Sequence, residues 1–156
     1  MKVLKILSRH RFLCYALCFA LPVTIVLDAT PLGLLTQKKG VPEAEACRTW
    51  YQTLINFGCL LFVPEIADYE LRREFLRQGN GGAVSRLQIF NAATPDRYLP
   101  LTTAPPEALD ADALIAAQTS LLNPAASGLA ATVVATANVG RLSAPTNAVL
   151  WSNIRL

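Results

Sequence analysis

Three short apolar runs constrain this chain more than any other feature: VTIVL at 23–27, CLLFVP at 59–64 and ATVVATAN at 131–138. None alternates apolar with polar residues as a strand with one wet face would. Residues such as Thr24, Ile25 and Val26 are β-branched and favour extended backbone. A strand that is apolar on both sides must be covered on both sides, which predicts a parallel sheet between layers of helices. The intervening segments have helical length. Residues 31–35 suggest a short helix. Pro42 opens a longer one through about residue 56, with Glu43 and Glu45 in its acidic first turn. Pro64 starts a helix through 77, ended by GNGG at 79–82, and residues 84–94 suggest another. YLPLT at 98–102 reads as a short third strand, 105–123 as a helix, and 149–154 as an edge strand or docking segment. The fold class is therefore α/β, a parallel sheet of four to five strands flanked by helices. In such sheets ligand sites collect beyond the carboxyl ends of the strands.

At 156 residues the chain is one domain's worth. With 53% hydrophobic and 16% charged residues it is not a disordered chain. The net charge of +3 resembles a nucleic-acid signal until its location is considered. Lys2, Lys5, Arg9 and Arg11 all precede the first apolar run. Beyond residue 23, ten basic residues face eleven acidic ones, a balance of −1. Attraction to phosphate would need local patches or a bound cation.

The single histidine is His10, within the basic N-terminal stretch. Ser-His-Asp and Cys-His mechanisms and His-rich zinc sites thus lack a base or ligand in the body of the chain. Carboxylates holding a hard cation are what remains for hydrolysis. Cys14, Cys18, Cys47 and Cys59 form no CxxC pair and read as buried free thiols in a reducing compartment. Residues 1–11 are basic and 12–27 almost wholly apolar, which resembles a secretory signal. Pro22 interrupts the run, however, and its second half suits a buried strand ending in an acid. Residues 1–22 are read as an appendage, a mis-called start or signal-like segment, and 23–156 as the domain. The expected location is the cytoplasm, with membrane attachment disfavoured.

Three acids are candidates for chemistry. Asp28 ends the first strand, where open α/β folds bind ligands; it is equally suited to cap the helix that follows. Glu70 borders the apolar stripe of the helix from 64 to 77. Glu70 and Glu74 also suit ion pairs with Arg73 and Arg77 on an exposed face. Asp112, in LDADALIAAQ, stands three residues after Leu109 and three before Ile115, a carboxylate among apolar side chains. Such a charge needs a cation or several donors. Asp110 more simply caps the helix. If the three converge, magnesium or manganese would relieve their repulsion and could activate water against a phosphodiester. The Arg72, Arg73, Arg77 group suits either a solvated face or RNA backbone, and so do Lys38 and Lys39. Trp50, Tyr51 and Trp151 read as core or interface aromatics.

Four blocks in order resemble the PIN domain family in its VapC-like toxin branch: TIVLDATPLGLL, VPEIADYELRRE, LDADALIAAQ, and VVATANVGRLS with LWSNI. The resemblance covers about residues 23–156. It implies a PIN-like parallel sheet and endoribonuclease activity dependent on Mg2+ or Mn2+. By position, Asp28, Glu70 and Asp112 would be catalytic metal ligands, while Thr30, Thr136 and Asn138 would line the substrate site. It also implies an RNA substrate, an antitoxin protein partner and a homodimer. Two departures stand out. Asn138 occupies the closing loop where many relatives carry a fourth acid, and only residues 103–111 separate the third strand from Asp112. They motivate an alternative, a catalytically impaired PIN fold that binds RNA or a protein without cleaving.

Overall fold

The computed structural model describes residues 23–93, 97–100, 114–116, 118–119, 122, 132–142 and 147–155. Five strands form one all-parallel sheet: β1 (Thr24–Leu27), β2 (Leu60–Pro64), β3 (Tyr98–Leu99), β4 (Thr132–Thr136) and β5 (Ala148–Leu150). Their order is β3-β2-β1-β4-β5. From β1 the chain winds outward to β2 and β3, then returns to lay β4 on the other side of β1. The crevice at the carboxyl ends of β1 and β4 is therefore the topological switch point. Register there is set by Leu27 against Ala135.

The helices are α1 (Ala29–Leu35), α2 (Pro42–Asn56), α3 (Glu65–Arg77) and α4 (Gly81–Ala92). Contacts run α1 to α2, α1 to α3 and α3 to α4, so the four lie as a layer over one face of the sheet. That face presents Ile25, Leu27, Leu61, Val63, Val133 and Ala135 into a core shared with Leu32, Leu54 and Leu87. The other face presents Val26 and Val134, covered by Ile115 from the helical residues 114–116. Alternate residues of β1 and β4 thus bury themselves in opposite layers, which is why these runs show no polar alternation. Each fully buried Leu or Ile contributes about 1.5–3 kcal/mol.

Two helix ends explain the punctuation. At the end of α3, Gly79 has φ +64°, and Asn80 N–H donates to Phe75 O at 2.8 Å. Gly58 closes α2 the same way at φ +80°, with Cys59 N–H on Leu54 O at 3.0 Å. Left-handed backbone there favours glycine. GNGG does more than stop α3, since Asn80 caps α4 by accepting from Ala83 N–H at 3.1 Å. The next helix accordingly begins at Gly81, earlier than the expected 84.

The last segment is both strand and docking element. After β5, Trp151–Asn153 forms a 3-10 turn, and Trp151 meets Trp50 edge-on with ring centroids 5.6 Å apart. Trp50 Nε1 donates to Ile154 O at 3.0 Å, tying the tail to α2. A one-turn helix, Val139–Leu142, occupies part of what the sequence suggested was loop. Cys47 and Cys59 are buried free thiols, and burial pushes the Cys47 thiol up to about 12. Among the described residues no helix is long and apolar enough to cross a membrane. The proposed appendage at 1–22, with His10, Cys14 and Cys18, lies outside the described residues, as do Asp110 and Asp112.

Candidate functional site

Asp28 leaves β1 at the switch point, where three hydrogen bonds hold it. Its N–H donates to Ala135 O at 3.0 Å, continuing the pairing of β1 with β4 for one residue. Its Oδ1 accepts from Ala29 N–H at 2.6 Å, capping α1. Its Oδ2 accepts from the Thr136 hydroxyl at 2.6 Å, across 108 residues of sequence. Thr136 Oγ1 in turn accepts from Asn138 N–H at 2.8 Å. The capping and site readings of Asp28 are thus compatible, because a carboxylate oxygen carries more than one lone pair.

Asp28 is 8% exposed, and no Lys or Arg among the described residues forms a salt bridge with it. Its donors are neutral. A buried carboxylate compensated only by neutral donors retains a strong field toward a cation.

The other expected site residues fall into three groups. Thr136 has no exposed surface, so it bears on any ligand only through the carboxylate it orients. Asn138 is exposed at the start of the closing loop, and Thr30 is exposed on the first turn of α1. Glu70 is half-buried on α3 and lines a groove of about 460 Å³ between α1 and α3, together with Thr30, Leu71 and Arg73. Ala29, next to Asp28, lines the same groove. Gly33 permits the close crossing, since a Cβ there would lie 3.2 Å from Leu71 Cδ1. Asp112 lies outside the described residues. Among the described residues no three His, Cys, Asp or Glu side chains gather as a metal-ligand group.

A second buried acid, Asp68, was not singled out by the sequence. It is 6% exposed in the first turn of α3. Arg72 NH2 donates to both its oxygens at 3.0 Å, Asn91 Nδ2 to Oδ1 at 2.8 Å, and the Tyr98 hydroxyl to Oδ2 at 3.3 Å. Burial, then the Asp68 charge, pushes the Tyr98 hydroxyl up to about 12. This cluster locks edge strand β3 to α3 and α4. The only advance signal was the i,i+4 spacing of Asp68 and Arg72. The anticipated helix-face pairing is present at Glu74, which receives Arg77 Nε at 2.8 Å and NH2 at 2.6 Å.

No family model, no curated protein and no solved structure matches this chain, so its own residues carry the functional reading.

Proposed function

We propose that the chain is a metal-dependent endoribonuclease of the PIN type, acting as the toxin of a toxin–antitoxin pair in the cytoplasm. The observation that carries this reading is Asp28: a buried carboxylate, at the switch point of a parallel sheet, with neutral donors and no cationic side chain among the described residues. Open α/β sheets bind their ligands at that point. The groups at this edge suit a hard cation, being oxygen ligands: the Asp28 carboxylate, the exposed Thr30 hydroxyl and the side-chain carbonyl of the exposed Asn138.

In this reading Asp28 and Glu70 would hold Mg2+ or Mn2+, and Asp112, which lies outside the described residues, would be the third ligand. A cation held there would neutralise charge at the scissile phosphate and lower the pKa of the attacking water. Thr136 fixes the Asp28 carboxylate by hydrogen bond, and Asn138 N–H fixes the Thr136 oxygen, so the carboxylate is oriented before any ligand arrives. Thr30 and Asn138 stand at the rim, where a phosphate oxygen would lie. An antitoxin would act by covering this edge.

The test is cleavage of single-stranded RNA with Mn2+ or Mg2+ by the wild type, Asp28→Asn and Glu70→Gln. Loss on the order of a thousand-fold in the variants is expected if each removes several kcal/mol of transition-state stabilisation. Equal cleavage by wild type and Asp28→Asn would reject the proposal. Asn138, uncharged where a fourth acid would strengthen cation binding, favours a second reading in which the fold binds RNA or a protein without cutting. A wild type that binds RNA but never cleaves it with either cation selects that reading.

A further inference from the structure

We infer that the groove between α1 and α3 is the track along which an RNA strand reaches the Asp28 edge, with Arg73, Lys38 and Lys39 contacting its phosphates. The inference rests on the ribonuclease reading and adds the residues that hold the substrate away from the cleaved bond.

The three arginines of α3 are not equivalent. Arg72 is committed to both oxygens of Asp68, and Arg77 to both oxygens of Glu74. Arg73 makes no hydrogen bond or salt bridge to any described residue, and its charge helps to hold the Glu74 carboxyl below the usual carboxylate range. It is exposed and lines the groove. Glu74, which lines the groove beside it, is already hydrogen-bonded to Arg77 and Gln78. A guanidinium in a concave surface with no hydrogen-bonded partner among the described residues is suited to phosphate.

The groove also has direction. It begins at Ala29 and Thr30, beside Asp28, and extends along α1 to Gln37. At the helical rise this is about 10 Å. Lys38 and Lys39 follow Gln37 directly and are exposed. Their turn is built in advance: Arg48 donates to Gln37 O at 3.0 Å and to Lys38 O at 3.2 Å. Gly40 N–H donates to Glu45 Oε1 at 2.9 Å. An ordered turn presents its cations with little loss of freedom on binding. Thr30, Gln37 and Arg73 thus line the groove that starts beside Asp28, and the two lysines continue the chain from its Gln37 end. In a domain whose balance past residue 23 is −1, this is the local patch that phosphate attraction requires.

The probe is a short fluorescein-labelled single-stranded RNA of mixed sequence, bound by the full chain in EDTA and followed by fluorescence anisotropy over a salt series. Each lost phosphate contact should reduce the slope of log affinity against log salt by about 0.7. Arg73→Gln is expected to lose that amount, and Lys38→Gln with Lys39→Gln to lose more. Arg73→Lys should keep the slope. The control is Arg155→Gln, which removes the same charge from the cleft between α2 and the carboxyl-terminal turn. Equal weakening by Arg73→Gln and Arg155→Gln would mean that only net charge matters and would overturn the inference, as would an unchanged slope in Arg73→Gln, the outcome expected of a protein-docking groove. Cleavage with Mn2+ is scored separately. A slope lost in Arg73→Gln without cleavage by the wild type keeps the track and sinks the nuclease; cleavage by the wild type with the slope intact in Arg73→Gln does the reverse.

Discussion

Asp28 and Asp68 are both carboxylates at the carboxyl edge of the same sheet, and they are buried to almost the same degree, 8% and 6% exposed. They differ in what answers their charge. Asp68 has an arginine, an amide and a phenol, all from the protein itself. Among the described residues Asp28 has one backbone N–H and one hydroxyl. Burial alone therefore does not mark a functional acid. On the proposed reading, the discriminating property is whether the described residues supply a countercharge, as they do for Asp68 and do not for Asp28.

The sharpest way to break this comparison is to remove each acid without any cation present. Asp68→Ala leaves Arg72, Asn91 and Tyr98 without their acceptor and should destabilise the fold by about 3 kcal/mol, at the low end for a broken buried pair because the Arg72 side chain is 30% exposed. Asp28→Asn removes a charge that no described cationic side chain pairs with and should leave metal-free stability unchanged or slightly raised. Urea denaturation in EDTA measures both. If Asp28→Asn proves as costly as Asp68→Ala, the two acids do the same structural job.

Adding the cation should reverse the ranking. At Mn2+ about a hundredfold above its dissociation constant, the wild type should gain about 2.7 kcal/mol, and Asp68→Asn should gain the same. Asp28→Asn should gain nothing. Thermal or urea unfolding with and without Mn2+ reads this directly, and an equal gain in Asp28→Asn would place any bound cation elsewhere.

The two acids also differ in how visible they were. Asp28 was legible because an apolar β-branched run ends on it, and a parallel sheet exposes strand ends at its carboxyl edge. Thr136 was legible as the end of β4, although its burial was not; that follows from Leu27 pairing with Ala135, which sets Thr136 directly behind the carboxylate. Asp68 was hidden because its partners Asn91 and Tyr98 lie 23 and 30 residues away, beyond the reach of helical periodicity. The extents of the elements were less visible than their existence. Asn80 serves as the cap of α4 directly after the glycine that ends α3, and no apolar pattern marks such a handover.

A smaller effect sharpens the Asp28 side. Thr136→Val keeps the shape of the buried residue but removes the donor to Asp28 Oδ2 and the acceptor for Asn138 N–H. The expected cost is about 1.5 kcal/mol in EDTA, with Thr136→Ser restoring most of it. The same Val variant should weaken Mn2+ binding about tenfold through misorientation of the carboxylate. Titration calorimetry measures that, and a Val variant that binds Mn2+ as tightly as the wild type would remove Thr136 from the positioning role.

The smallest effect tests the self-neutralised cluster through pH. The Tyr98 hydroxyl is raised in the fold to about 12, first by burial and then by the Asp68 charge, against about 10 in an unfolded chain. A group whose folded pKa is raised contributes stability that is complete below its unfolded value and is lost as pH climbs through the folded one. The window is therefore between about pH 10 and pH 12. In that window the wild type should lose stability more steeply than Tyr98→Phe, and the difference between them should shrink in an Asp68→Asn background because part of the elevation comes from that charge. Burial of Tyr51 raises its hydroxyl as well, but it is common to all four proteins and cancels in the cycle. Urea midpoints across the alkaline range give the four curves; if the Tyr98→Phe difference is the same with and without the Asp68 charge, the phenol answers burial alone and the cluster is not the coupled unit that its geometry describes.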